Sequence, residues 1–278
     1  MAVLRVPVLA IALVLACVGG AGYVYLRGHD ADGDVGLSAH RIVKPSARLQ
    51  QAVANLERAR NFEFDVETHA LGPNGEQWLN GGGHVDLVRK RVEEAMTPGP
   101  KGSTTDEYYR AFEDHSRGAA VVYFRASFTD GRLPAGKTWV KVDMSKKAWR
   151  LQPDDVGNPI AMLALLHRAR APQLSGTETI GGVAAARYVV SIDTARAPTP
   201  AGAYLDRIDV RGLPITQANL WIDVQQNIRR VQVTMQRPNE NWVVTQNFVA
   251  IDAPGDSTIN LPAPQYVIDA DAIPGLSG

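Results

Sequence analysis

The chain has 278 residues, 45% of them hydrophobic, and its 29 Lys and Arg balance 29 Asp and Glu at a formal net charge of zero. Without a basic field there is nothing to hold a nucleic acid, which excludes that partner class. A single cysteine, Cys17, excludes internal disulfides and Cys-based zinc sites, so the folded part depends on its core.

Residues 1–27 contain an apolar run from Val6 to Leu26, with Arg5 before it and Arg27 after it. At about 1.5 Å per helical residue the run matches a hydrocarbon core about 30 Å thick, which predicts a membrane anchor. Two devices fit. One is an uncleaved transmembrane helix over 6–26. The other is a lipobox, Val14-Leu15-Ala16-Cys17, cut before Cys17 and lipidated there. A short N-terminus with one arginine ahead of an apolar run is also how export signals begin, so the remainder is expected on the extracytoplasmic side of the cell membrane.

Residues 28–45 are polar and rich in Gly and Asp, as expected of a linker. Asp30, Asp32 and Asp34 imitate a calcium loop, but Val35 occupies the sixth position and Arg41 the twelfth, so the turn glycine and the bidentate ligand are missing.

Residues 46–270 read as one domain and 271–278 as a C-terminal tail. Ser46 is placed to cap a helix whose Leu49, Ala52, Val53, Leu56 and Ala59 form one apolar stripe. From Phe62 the period changes to two: Phe62, Phe64 and Val66 alternate with Glu63, Asp65 and Glu67, as in a strand with one wet face. A turn at Pro73-Asn74-Gly75 leads into a return strand, Gln77 to Arg91, bent at Gly81-Gly82-Gly83. A loop from Glu94 to Thr105 precedes strands at Asp106–Glu113, Ala119–Phe128 and Thr138–Met144. Asn158-Pro159 then marks an N-cap followed by proline at the first helical position, and Arg168, Arg170 and Pro172 mark the helix end. The body of that helix, Ile160 to Leu166, has no polar face, so it must be covered on both sides or cover an apolar ligand.

Strands follow at Thr177–Ile180 and Ala185–Asp193 around a Gly181-Gly182 turn. A long connection, Thr194 to Thr216, carries Tyr204, Leu205 and Ile208 and is expected to be a lid or binding segment. Ala218–Val224, Ile228–Met235 and Trp242–Ile251 complete a meander. The total is about ten strands and two helices, an α+β fold with an antiparallel sheet and helices on one face.

Candidate chemistry is thin. Gly131-Arg-Leu-Pro-Ala-Gly136-Lys137-Thr138 spells a P-loop, but Trp139 to Met144 alternates like a strand, and a P-loop needs a helix N-terminus there. The segment is better read as a hairpin turn set by Gly131, Pro134 and Gly136. His29, His40, His69, His84, His115 and His167 form no metalloprotease motif, although His69 and His84 are close enough in a hairpin to meet. His167 suits the C-terminal end of a helix dipole, and Asp154-Asp155 the N-terminal end. No catalytic residue, metal ligand or cofactor is expected.

What remains is apolar capacity. The sheet face that continues Phe62, Phe64 and Val66 also takes Val85, Leu87, Val122, Phe124, Val140, Val142, Leu220, Ile222, Val231 and Val233. With Ile160, Met162, Leu163 and Leu166 from the helix above, thirteen of these positions are the candidate lipid-binding residues: Phe64, Val66, Val85, Leu87, Phe124, Val142, Ile160, Met162, Leu163, Leu166, Leu220, Ile222 and Val233. A filled core is built from the same residue types.

Four stretches carry a family resemblance: Gly136-Lys-Thr-Trp-Val-Lys-Val-Asp143, Pro159-Ile-Ala-Met-Leu-Ala-Leu-Leu166, Gly176-Thr-Glu-Thr-Ile-Gly-Gly-Val183 running into Arg187-Tyr188, and Leu220-Trp-Ile-Asp223 followed by Ile228-Arg-Arg-Val231. In these the chain resembles the LolA-like lipoprotein carriers, and most of all the actinobacterial LppX/LprG lipoproteins. The resemblance implies a mostly antiparallel half-barrel of about ten to eleven strands with helices packed in its concave face. It also implies a cavity for acyl chains, carriage of lipids or acylated ligands between membranes, no enzyme activity and no cofactor. A monomer is the expected state. Two alternatives stay open: an envelope sensor of the same fold that binds a membrane partner protein, and a structural envelope protein with a filled core.

Overall fold

The switch from helical to alternating periodicity at residue 60 is where the first helix gives way to the sheet. The structure, a computed structural model, describes residues 45–73, 75–116, 120–143, 157–195, 210–211, 213–237, 240–252 and 258–273. Helix α1 (Pro45–Arg58) buries Leu49, Ala52 and Leu56, three positions of the anticipated stripe. It starts at Pro45, so Ser46 lies inside its first turn and Pro45 belongs to the helix rather than the linker. The apolar run 6–26, Cys17 and residues 28–44 lie outside the described residues. Among the described residues no helix is long and apolar enough to cross a membrane.

Strands β1 (Asn61–Gly72), β2 (Gly75–Asp86), β3 (Arg91–Pro98), β4 (Tyr109–Asp114), β5 (Val121–Ala126) and β6 (Trp139–Asp143) follow. Helix α2 (Pro159–Leu166) comes next, then β7 (Ala169–Ile180), β8 (Val183–Ile192), β9 (Gln217–Asp223), β10 (Ile228–Arg237), β11 (Glu240–Ile251) and β12 (Val267–Asp269). Two boundaries differ from expectation for identifiable reasons. The return strand stops at Asp86 and a turn with Lys90 at φ 56° starts β3, so part of the expected loop is a strand with Val92 and Met96 buried. β7 begins immediately after α2, because a bulge between Arg170 and Gln173 accommodates Pro172, which cannot donate to a regular ladder.

The expected half-barrel does not describe the sheet. Among the described residues twelve strands form one open, mixed sheet in the order β12-β6-β5-β4-β3-β2-β1-β11-β10-β9-β8-β7, not closed into a barrel. All neighbours are antiparallel except β12, which runs parallel to β6 with Val267 opposite Trp139. β11 lies at the middle of the sheet, whereas β12, the next strand in the described sequence, pairs at the β6 edge. A parallel pair needs a crossover, and a three-residue strand has no readable period, so neither feature was visible in the pattern.

Among the described residues the core forms three clusters, the smallest of them Ile180, Ala185 and Trp221 on β7–β9. The main cluster joins α1 and α2 to the inner face of β1, β2, β3 and β8–β11, including Phe62, Phe64, Val66, Tyr188, Leu220, Val231 and Phe248. A smaller one lies beyond it, where Ala111, Phe124 and Val140 meet Ala270 and Ile273 near the C-terminus. Glycines shape the boundary. A methyl on Gly83 would stand 1.8 Å from the Glu93 carbonyl oxygen and one on Gly81 2.0 Å from that of Ala95. Only glycine allows β2 and β3 to come this close.

Candidate ligand-binding layer

Helix α2 is short, and its ends are held by polar contacts that its apolar body cannot make. Asn158 is its N-cap, with Oδ1 accepting from the backbone N–H of Ile160 at 2.9 Å and of Ala161 at 3.3 Å. Pro159 at the first helical position lacks an N–H that would otherwise need a partner. The cap is itself positioned: Asn158 Nδ2 donates to Glu113 Oε1 at 2.7 Å, and Glu113 Oε2 lies 2.7 Å from Nε2 of the wholly buried His115. At the other end the buried Arg168 reaches back to donate from Nη1 to the Ala164 carbonyl at 2.9 Å. His167 Nδ1 lies 2.6 Å from Glu57 Oε1, which ties α2 to α1.

Between these ends every residue from Ile160 to Leu166 is at most 2% exposed. The helix is therefore covered all round, as its lack of a polar face requires. Val210, Leu213 and Ile215, the buried residues of the described part of the Thr194–Thr216 connection, join the same cluster. Tyr204, Leu205 and Ile208 lie outside the described residues. A methyl placed on Gly157 would stand 3.8 Å from both Val66 Cγ2 and Thr68 Oγ1, so the chain entering α2 runs over the inner face of β1.

Below the helices a single register row crosses seven strands. Met96, Gly81, Val66, Gln246, Val231, Leu220 and Tyr188 stand opposite one another in turn, from β3 to β8. Gln246 is the polar interruption. It is wholly buried, between Val244 and Phe248 along its own strand, and neither Oε1 nor Nε2 has a hydrogen-bond partner. Burying a bare amide costs about 1–3 kcal/mol, so such a group calls for a reason.

Of the thirteen residues singled out from the sequence, ten are buried in the main cluster: Phe64, Val66, Val85, Ile160, Met162, Leu163, Leu166, Leu220, Ile222 and Val233. Leu87 packs against it half-buried. Phe124 and Val142 are elsewhere, in the second cluster beyond β3, because the sheet is wide enough to carry separate cores on its strands. Gln246, Tyr188 and Phe248 were not singled out. Counting by twos from Trp242 through Val244 puts Gln246 and Phe248 on the inner face, which is the signal that would have found them.

The remaining candidates are occupied in other ways. The P-loop letters form the turn before β6: Gly131 and Gly136 have φ of 73° and 79°, and Lys137 N–H donates to the Pro134 carbonyl at 2.9 Å. Lys137 Nζ donates to the Gln265 carbonyl at 3.0 Å, and the chain continues into a strand rather than a helix. His69 and His84 do not meet. His69 stacks on Trp78 with ring centroids 4.0 Å apart and lies 2.6 Å from Glu76, whereas His84 stands opposite Glu63. Among the described residues no three His, Cys, Asp or Glu are grouped to hold a metal. His29, His40, Asp154 and Asp155 lie outside them.

No family model and no curated protein matches the sequence. Among solved structures the chain is similar to LprF from Mycobacterium bovis, at 16% identity and TM-score 0.40 over 80% of this chain and 97% of that one. It is also similar to the lipoprotein LppX from Mycobacterium tuberculosis, at 14% identity and TM-score 0.41 over 76% and 97%. A LolA superfamily protein from Nitrosomonas europaea is similar at 10% identity and TM-score 0.27 over 74% and 92%. The likeness is thus one of structure, at low identity.

Proposed function

We propose that this chain is a lipid-binding and transfer protein of the cell envelope, tethered to the membrane by its N-terminal apolar run and facing the extracytoplasmic side. The observation that carries the reading is α2: a helix without a polar face, pinned by polar contacts at both ends and laid over an apolar sheet face. Acyl chains take the place of the apolar contacts between α2 and the sheet, entering as α2, with Val210, Leu213 and Ile215, moves away from β1. Each buried methylene contributes about 0.8 kcal/mol, so a long chain can replace the contacts that the helix gives up. The packing around α2 is closed in this structure, so entry requires that displacement. No step of the proposed activity makes or breaks a covalent bond.

Native mass spectrometry of the full chain purified from its own membranes tests the reading. A co-purified lipid is the expected result. A clean mass, with no lipid taken up from added vesicles, would leave a filled structural core in its place.

A further inference from the structure

The described residues include seven buried polar or charged side chains, and six of them have partners. Asp86 binds Arg89, Glu113 binds His115 and Asn158, Thr129 bonds to Ala126, Arg168 donates to Ala164, and Asp223 binds Arg229. Gln246 is the exception, with both amide atoms bare. Its neighbours across the sheet are Val66 and Val231, so no protein group within the row can satisfy it. The chain entering α2 passes over Val66, which places the amide under the element that the lipid-binding reading requires to move.

We propose that Gln246 is the polar contact of the lipid site, and that the ligand is a neutral lipid bearing an ester carbonyl and a hydroxyl, of the acylglycerol class. This rests on the lipid-binding reading above. The amide offers an N–H₂ donor to the ester carbonyl and a carbonyl acceptor to the hydroxyl, so one residue satisfies both groups. A charged headgroup is disfavoured on this row, because the row holds no charged side chain to pair with it. The bare amide also has an energetic role. It raises the free energy of the closed, empty form but not of the loaded one, so the ligand shifts the equilibrium through a bond made in one state only.

The test uses the full chain incubated with phosphatidylcholine vesicles that carry either labelled dioleoylglycerol or labelled hexadecane, then re-isolated and counted. Wild type is expected to retain both probes. Gln246→Met, close in volume and without the amide, should retain hexadecane as wild type does while losing dioleoylglycerol about tenfold. The empty variant should melt no lower than wild type, and Gln246→Leu should repeat the pattern if the methionine variant folds poorly. Equal retention of both probes by a folded variant overturns the assignment and leaves lipid binding intact. A lower melting temperature in both empty variants also overturns it, since the amide would then have a structural partner such as a buried water. Retention of neither probe by wild type removes the lipid-binding reading, and this assignment falls with it.

Discussion

Asp223, buried, and Arg229, half-buried, form an ion pair across the turn between β9 and β10, with Asp223 Oδ2 2.8 Å from Arg229 Nε and 2.7 Å from Nη2. The carboxylate is wholly buried and also accepts from the backbone N–H of Asn227 at 2.8 Å. The Asp223 carbonyl accepts from Arg48 Nη2 at 2.8 Å, and Asn55 Nδ2 donates to the Gln226 carbonyl at 3.0 Å. One turn thus holds two strands in register and fastens α1 at the end of the sheet.

Asp223→Ala should therefore destabilise the fold strongly. Removing one partner of a buried ion pair costs about 3–5 kcal/mol, and the partial exposure of Arg229 places the expected loss at the lower end of that range. Chemical denaturation measures it. A loss within experimental error of zero would show that the pair is not holding the turn.

Asn158→Ala removes the α2 cap and strips Glu113 of a partner. A lost cap costs about 0.5–2 kcal/mol, and the upper part of the range is expected because Glu113 is itself buried. Asn158→Asp should not rescue it, since a second carboxylate would face Glu113. Rescue by aspartate in equilibrium unfolding would mean that only the backbone cap matters.

Met162 lies at 0% exposure in the middle of α2. Met162→Trp should overpack the closed form and cost about 1–3 kcal/mol. Leu163→Ala and Leu166→Ala should cost about 2–5 kcal/mol each in the empty protein. Thermal unfolding with and without added lipid checks both signs. Under the lipid-binding reading the alanine variants recover stability when loaded, whereas in a filled core lipid changes nothing.

Asp114 predicts an acid dependence. Burial raises its pKa, but the side-chain and backbone bonds from Ser116, with Arg91 and His115 nearby, together bring it below the ordinary 3.8. A depressed carboxyl contributes stability that is full above the unfolded value and lost as pH falls through the folded one. Stability measured from about pH 7 to about pH 2 should show wild type and Asp114→Asn converging at the acid end. Parallel curves throughout would remove Asp114 from the account.

Local periodicity was enough to find α1, α2 and most strands, because Leu49, Ala52 and Leu56 repeat at helical spacing and Phe62, Phe64 and Val66 at two. It was also enough to distinguish the P-loop letters from a nucleotide site, since Trp139 to Asp143 alternates. The same pattern could not count strands or separate cores. β12 is three residues long, and its parallel pairing depends on a crossover across several strands.

Pattern identified ten of the thirteen candidate residues that share the main cluster buried, yet it grouped Phe124 and Val142 with them. An inward-facing residue announces its face but not its position along a wide sheet. Gln246 shows the same limit from the opposite side. Its parity on β11 was legible, but that its amide would lie between Val66 and Val231 without a partner follows from inter-strand register. The sequence by itself determined which faces are apolar, through spacing along one strand or helix. Only the tertiary structure decided which of those faces meet and which polar group is left bare among them, because contacts between distant segments are set by strand order and register.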